Sequence, residues 1–412
     1  MRTALFVSAW LPLRPGAMEG GLYRRLTIMI DAIRENCSKI HALFFLREGD
    51  EHPENDLLQA TERSLSQEWG IEVAVSFCRR DPPRTSGRYI GSYLKTASSF
   101  YRLPGYNEFS GRSQIAAVEN CLAQGPSFIF VHRLHSILPL MLTKKALPPV
   151  FLDLDDIEHI AMLRNLSQPP HWWRKKLDYL QLPALLWGEH NAIKLTRATF
   201  VCSDLDQHKL TRLFRLKQVT AIPNAVTLPA TTTPSDHLRI AMLGNYEYGP
   251  NRLGAEFFLN HVWPLILADT PAAEVIFAGR RAETIKHYSH PPPQVSFPGF
   301  VDDLDEFYRG VRLVICPILT GGGTRVKLME AAAYGRPVVS TTIGAEGISL
   351  IDGKEVLLRD SPKAFSNACV ELLADHDAAR TLGLSARKAI EARYDRSIIV
   401  TQLSSLLRQA IG

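Results

Sequence analysis

Short apolar runs alternate with longer amphipathic stretches along nearly all of this chain, and that alternation admits few folds. Runs of four to eight apolar residues suit strands buried on both faces. Stretches with apolar residues every three or four positions suit the helices that cover them. Strands are expected at Ala4–Ser8, Ile40–Phe45, Ile71–Phe77, Phe128–Val131, Val150–Asp153, Ala198–Cys202 and Val219–Ile222. Helices are expected between them, at Leu22–Glu35, Leu57–Trp69, Ser113–Ala123 and Lys175–Lys194. The Pro- and Thr-rich stretch from Pro223 to His237 has no periodicity and reads as a linker. After it the alternation restarts. Strands are expected at Leu238–Leu243, Glu274–Ala278, Val295–Phe297, Leu313–Cys316 and Pro337–Thr341, and helices at Arg252–Leu267, Leu304–Gly310, Arg325–Tyr334, Pro362–Ala374 and Ala378–Arg393. The reading is α/β, with two doubly wound parallel-sheet domains in series. Residues 1–228 form the first and 229–395 the second, with a last helix at about 396–412 packing back onto the first. Ligands of such domains bind at the carboxyl ends of the strands, and with two domains the site is expected in the cleft between them.

A length of 412 residues with 46% hydrophobic and 22% charged residues excludes disorder and coiled coil as descriptions of the whole chain. No apolar run reaches the roughly 18 residues of a membrane span. The Ala4–Ser8 segment reads as a buried first strand rather than the core of a signal peptide, since no small-residue cleavage site follows it. The six cysteines are widely spaced, without a Cys-x-x-Cys pair or neighbouring histidines, so neither a zinc site nor a disulfide framework is expected and a cytoplasmic setting fits. Charge is uneven. Up to Ala230 there are 28 Lys and Arg against 22 Asp and Glu; from Thr231 onward there are 19 against 20. The basic excess concentrates in two stretches. Arg79–Arg112 interleaves seven cations with six aromatic residues and resists assignment to regular elements. His171–Val219 begins with Trp172, Trp173, Arg174, Lys175 and Lys176. Cations beside Trp and Tyr suit an anionic membrane surface, whereas no nucleic-acid-binding module accompanies them.

The segment Cys316–Gly347, CPILTGGGTRVKLMEAAAYGRPVVSTTIGAEG, is the densest in chemistry. A strand ends at Cys316; Gly321, Gly322, Gly323 and Thr324 follow; a helix then opens with Arg325 and Lys327 in its first turn. Cations are unfavourable at a helix N-terminus unless an anion sits there. Glycine amides and the helix end supply donors for a phosphate, Arg325 adds a fork and Lys327 a point charge. Glu330 lies about one turn further on the same face, placed to accept hydrogen bonds from a ribose diol. A glycine turn with a solvated charged face is the alternative.

These residues resemble the C-terminal signature of the group 1, or family four, retaining glycosyltransferases. Other blocks agree in order: Glu19-Gly20-Gly21, Pro223-Asn224-Ala225-Val226, Leu243-Gly244-Asn245 with Pro250-Asn251, and Phe277-Ala278-Gly279. The resemblance implies the GT-B fold, with two Rossmann-like domains facing each other across a cleft. It implies a nucleotide diphosphate sugar donor held mainly by the second domain, an acceptor held mainly by the first, and no obligatory metal or other cofactor. Glu330 matches the second glutamate of the family's E-x7-E motif, and Gly322 stands where the first would fall. Gly20, Gly21, Gly244, Asn251, Gly321, Gly322, Gly323, Thr324 and Glu330 are thus the expected donor-binding residues.

In the first domain, His132 and Arg133 follow one strand, and Asp153, Asp155 and Asp156 end the next. Polar clusters at strand ends are where doubly wound folds place function. His132 joins Arg325 and Lys327 as an expected catalytic residue; Arg133 and the three aspartates are expected on the acceptor side. No metal is expected there, since no ligand spacing accompanies the aspartates. The function implied is transfer of a sugar to an acceptor hydroxyl, in polysaccharide, glycolipid or glycoconjugate assembly, with a sugar or lipid-linked acceptor. A non-catalytic nucleotide-binding relic of the fold and a sugar-nucleotide epimerase are the alternatives.

Overall fold

A computed structural model describes residues 2–12, 21–47, 55–82, 90–167, 173–230, 232–321 and 324–412. The chain divides into two compact units, Met1–Pro223 with Ile399–Gly412, and Asn224–Ile398. The division falls five residues before the expected 228/229 boundary, because the segment after Pro223 is already tied to the second unit. The Val226 N–H donates to the Tyr394 carbonyl at 3.0 Å, and Asn224 Nδ2 donates to Thr324 Oγ1 at 2.6 Å.

The first unit is built on a seven-stranded parallel sheet of order β3-β2-β1-β4-β5-β6-β7. Its strands are β1 (Thr3–Ser8), β2 (Lys39–Leu46), β3 (Glu72–Arg79), β4 (Phe128–His132), β5 (Val150–Asp155), β6 (Ala198–Val201) and β7 (Val219–Ala221). Near-continuous apolar runs are what strands covered on both faces require, and β1, β2, β4 and β5 are buried along almost their whole length. Aromatic rings bind neighbouring strands together: Phe6 lies 6.3 Å from Phe44 and 6.5 Å from Phe130, and Phe200 lies 6.1 Å from Phe130 and 6.4 Å from Phe151. Each such pair adds about 0.5–1.5 kcal/mol beyond simple area burial. Strand order reverses between β1 and β4, where Ser8 and His132 are register partners.

The second unit repeats the plan with six parallel strands in the order β10-β9-β8-β11-β12-β13. They are β8 (Arg239–Leu243), β9 (Glu274–Ala278), β10 (Val295–Gly299), β11 (Leu313–Cys316), β12 (Val338–Ser340) and β13 (Leu357–Leu358). Here the order reverses between β8 and β11. The two-residue β13 is too short to give a periodic signal in sequence. The last helix, Arg396–Ile411, returns to the first unit, where Leu403 and Leu407 are buried and Asn36 Nδ2 donates to Ser404 Oγ at 3.0 Å.

Three elements differ from expectation. The helix expected at Arg252–Leu267 is Gly249–Phe257 and Trp263–Asp269, joined by a π-turn at Phe258–Val262. Pro264 has no N–H to donate to the carbonyl four residues back, and the wider turn absorbs the gap. The helix expected at Lys175–Lys194 breaks in the same way ahead of Pro183, into Trp173–Leu177, a 3-10 turn at Asp178–Gln181 and Leu182–Leu195. Within Arg79–Arg112, which sequence periodicity left unassigned, a helix spans Ile90–Ala97, and Phe100, Leu103 and Phe109 are buried. The Phe100 ring fills the space where Gly188 lacks a Cβ, 2.2 Å from where that atom would stand.

The most consequential interaction in the first unit is a buried ion pair. Arg25, on helix Gly21–Arg34, reaches under the sheet's carboxyl edge to Asp153 on β5. Its Nε donates to both carboxylate oxygens at 3.0 Å, and Nη1 donates to the Ile222 carbonyl at 3.0 Å. Burial alone would lower the Arg25 pKa, but Asp153 and Asp155 outweigh it and raise it. Removing one member strands a buried charge and costs about 3–5 kcal/mol. Arg25→Met and Asp153→Leu should therefore each lower the denaturation midpoint strongly in chemical unfolding. The double variant should recover much of the loss, and additive losses would show that the pair is not coupled.

Candidate functional site

In the second unit the polar groups gather where β8 and β11 end. Gly244 follows β8, and its N–H donates to the Ala278 carbonyl at 2.8 Å. A Cβ at Gly244 would stand 2.8 Å from Lys327 Nζ, so the missing side chain makes room for the ammonium. Lys327 lies in the first turn of helix Val326–Ala333, and its Nζ is buried with no hydrogen-bond partner among the described residues. Burial pulls its pKa down to about 8, and the neighbouring Arg325 pulls in the same direction. A buried, unsatisfied ammonium carries a desolvation penalty that an anion would relieve. Arg325 occupies the capping position before the helix rather than its first turn, and donates to the Thr320 carbonyl at 3.3 Å. Gly321 has φ +106°, and a Cβ there would press on Arg325 Nη2 and Pro250 at 3.0 Å and on the Tyr248 hydroxyl at 3.1 Å. Thr324 accepts the Asn224 hydrogen bond already described.

Glu330 is buried one turn beyond Lys327, with 8% of its surface accessible. Asn251 is equally buried, and its amide nitrogen donates to the Asn245 carbonyl at 2.7 Å. That bond closes the loop after β8 and uses one of the two amide hydrogens. Gly322 and Gly323 lie outside the described residues.

In the first unit the corresponding place is the end of β1 and β4. His132 is 1% exposed. Its Nδ1 lies 3.1 Å from Ser8 Oγ, and its Nε2 is buried with no partner among the described residues. Ser8 has one hydroxyl proton, and the Trp10 carbonyl lies 3.1 Å from its oxygen. With the proton on that carbonyl, Ser8 accepts from Nδ1–H, and Nε2 carries the lone pair. Burial, reinforced by the Arg133 charge, lowers the His132 pKa to about 3. The ring is neutral at physiological pH.

Arg133 continues the strand end with φ +70° and ψ 153°, a region that costs a non-glycine residue about 1–3 kcal/mol. Two contacts hold it there: its N–H donates to the Asp153 carbonyl at 2.8 Å, and its Nη2 to Asp155 Oδ2 at 3.1 Å. Asp155 also has positive φ, at +61°, and the β5–β6 register shifts between Asp153 and Asp155. The Cys202 thiol donates to Asp155 Oδ1 at 3.2 Å. Against the effect of burial, Arg133 and Arg25 hold Asp155 below the ordinary carboxylate range. Asp156 follows, partly buried. Asp153 does not share this position. It is fully buried in the grip of Arg25 and cannot present its carboxylate to an acceptor, which corrects its expected role. Gly21 opens helix Gly21–Arg34; Gly20 lies outside the described residues.

Several members of this cluster escaped sequence reasoning. Arg25 sits in register with the buried stripe Met29 and Ala32, and a cation in that register signals a buried partner. Glu158 opens helix Glu158–Ser167, and burial raises its pKa to about 7. The His159 N–H donates to Glu189 Oε1 at 3.1 Å and its ring is paired with the same carboxylate. Glu158 follows the aspartates that end β5 and Cys202 directly follows β6, so strand-end position marks both; Glu189 lies mid-helix, and only helix packing brings it to this edge. Among the described residues no group of three His, Cys, Asp or Glu side chains is placed to hold a metal ion, and no helix is long and apolar enough to cross a membrane.

Residues 237–375 match the family model of the group 1 glycosyl transferases. Across 99% of this chain and 98% of the other, the fold is similar to sucrose-phosphate synthase from Thermosynechococcus elongatus, with a TM-score of 0.66 at 16% identity. TarM is similar over 98% of both chains, with a TM-score of 0.67 at 11% identity. HepE from Anabaena, solved in complex with UDP, is similar over 99% of this chain and 100% of its own, with a TM-score of 0.63 at 14% identity. The two Rossmann-like units thus have the GT-B fold, and the match to the group 1 glycosyl transferase model lies within the second. A protein of Klebsiella pneumoniae described as an uncharacterized 44.6 kDa protein in the cps region is 22% identical over 172 residues. That match spans 40% of this chain and 44% of the relative.

Two glycines give a sharp contrast. Gly244→Ala places its methyl group against the movable end of Lys327, so the melting temperature should change little while nucleoside diphosphate affinity falls about tenfold. Gly279→Ala, at φ +119°, puts its Cβ 1.9 Å from the Gly244 carbonyl oxygen and should destabilise the unit severely. Thermal unfolding and ligand titration of both variants check this, and equal stability losses would contradict it.

Proposed function

We propose that this protein transfers a glycosyl group from a nucleotide diphosphate sugar to an acceptor hydroxyl, with retention of anomeric configuration. The observation that carries the proposal is the buried, unpartnered Lys327 ammonium beside Gly244, next to Arg325 at a helix start. HepE has also been solved with UDP-glucose, which supports a nucleotide sugar as the donor. The cps-region relative supports a place in surface polysaccharide assembly.

In the reaction, the bond from the anomeric carbon to the phosphate oxygen breaks, and its electron pair leaves with the nucleoside diphosphate. Lys327, Arg325 and the loop amides meet the developing negative charge, and no divalent cation is needed for it. The acceptor oxygen bonds to the anomeric carbon from the same face, and its proton passes to the departing phosphate. Glu330 receives the ribose hydroxyls. In the first unit, neutral His132 offers its Nε2 lone pair to a sugar hydroxyl, and Arg133, fixed by Asp155, orients the acceptor. The protein works in the cytoplasm.

Incubation with nucleotide sugars and candidate acceptors, followed by detection of free nucleoside diphosphate, tests the reading. Turnover that needs acceptor, survives EDTA and gives a product of unchanged anomeric configuration by NMR supports it. Nucleotide binding without turnover would support a relic of the fold instead.

An anion at Lys327 selects the protonated amine. Diphosphate affinity should therefore be level below pH 8 and fall as pH rises through about 8, the pKa of the free protein. Lys327→Met should bind about tenfold to a hundredfold more weakly at pH 7 and lose that alkaline limb; a limb that persists in the variant would assign it to another group. His132→Ala should lower kcat by about a hundredfold or more with donor affinity nearly unchanged. No acid limb near pH 6.5 should arise from His132, since it is already neutral there.

A further inference from the structure

The first unit exposes large apolar side chains on a group of short elements packed on one another. Helix Ile90–Ala97 packs on the 3-10 turn Asp178–Gln181 and on helix Leu182–Leu195, and helix Trp173–Leu177 packs on the same turn. Trp173 is 59% exposed, Leu94 56%, and Tyr179 and Leu180 41% each. Exposed Lys95 stands next to Leu94, and exposed Lys176 lies on the helix that begins with Trp173. Behind this face Phe100 is fully buried against Gly188, so the elements are anchored to the unit rather than adrift.

We propose that this face is a docking surface for an anionic lipid bilayer. Four large apolar side chains this exposed, on elements that pack together, exceed what single surface residues need by way of explanation. Trp and Tyr suit the headgroup layer, and Leu inserts below it. Lys95 and Lys176 supply charge complementary to acidic headgroups. The same charges argue against a second copy of this chain as the occupant, because a two-fold contact would set like charges on one another. Leu94 and Leu180 offer nothing to a nucleic-acid backbone. This surface is independent of the donor site, so it stands or falls apart from the proposed reaction.

Flotation of the full chain with vesicles of phosphatidylcholine alone, or with 40% phosphatidylglycerol, at about 50 mM and 500 mM salt tests the proposal. Binding should appear with the anionic vesicles at low salt and weaken at high salt. Lys95→Glu and Lys176→Glu should each weaken it at least about fivefold. Leu94→Ser with Trp173→Ser should abolish it while leaving the melting temperature and nucleoside diphosphate affinity unchanged. Lys388→Glu, an exposed charge change in the second unit, should have no effect. Equal binding to neutral vesicles, no binding to either, or concentration-dependent dimerisation lost in Leu94→Ser with Trp173→Ser would each overturn it, the last in favour of a self-association face.

Discussion

A parallel sheet covered on both faces leaves its polar side chains few places to emerge, and the carboxyl edge is the chief of them. That constraint governs both units. Strands such as FIFV and LVIC have no polar position to spare, so chemistry starts where they stop, at His132 in one unit and just beyond Cys316 in the other. The reversal of strand order between β1 and β4, and again between β8 and β11, opens a crevice at the same edge. Helix starts and loop amides face it, which makes it a natural place for phosphate.

The two edges solve different electrostatic problems. In the second unit a cation is left in want of an anion: Lys327 is buried, without a hydrogen-bond partner among the described residues, and weakened as a base by that burial. In the first, the charges satisfy one another. Arg25 answers Asp153, Arg133 answers Asp155, and Cys202 closes the remaining oxygen. Such a network supplies no net binding charge, but it fixes geometry. It sustains two residues of positive φ, Arg133 and Asp155, beside a His132 that burial above all keeps neutral. One edge leaves a charge to be answered and the other balances its own, a division that fits the proposed reaction of a diphosphate-bearing donor with a neutral acceptor hydroxyl.

Much of this was written in the sequence because the determinants are local. Buried strands need apolar runs and the helices covering them need amphipathic periodicity, so the elements and their alternation were readable without contacts. The GGGTRVKLME run was readable because glycine, helix start and cation lie within ten residues of one another. What only tertiary structure decided was non-local. Asp153 and Asp155 are two residues apart and look equivalent in the chain, yet a helix some 130 residues earlier brings Arg25 to one and the strand-end kink turns the other toward Arg133. Asn251 is a plausible ligand by position, and a loop closure by its bond to Asn245. The basic, aromatic stretch before Arg112 has no period of its own because its residues are divided between two tasks. Phe100 and Phe109 are consumed by the core, and Leu94 is left in solvent. Burial depends on which distant surface arrives, and no local pattern encodes that.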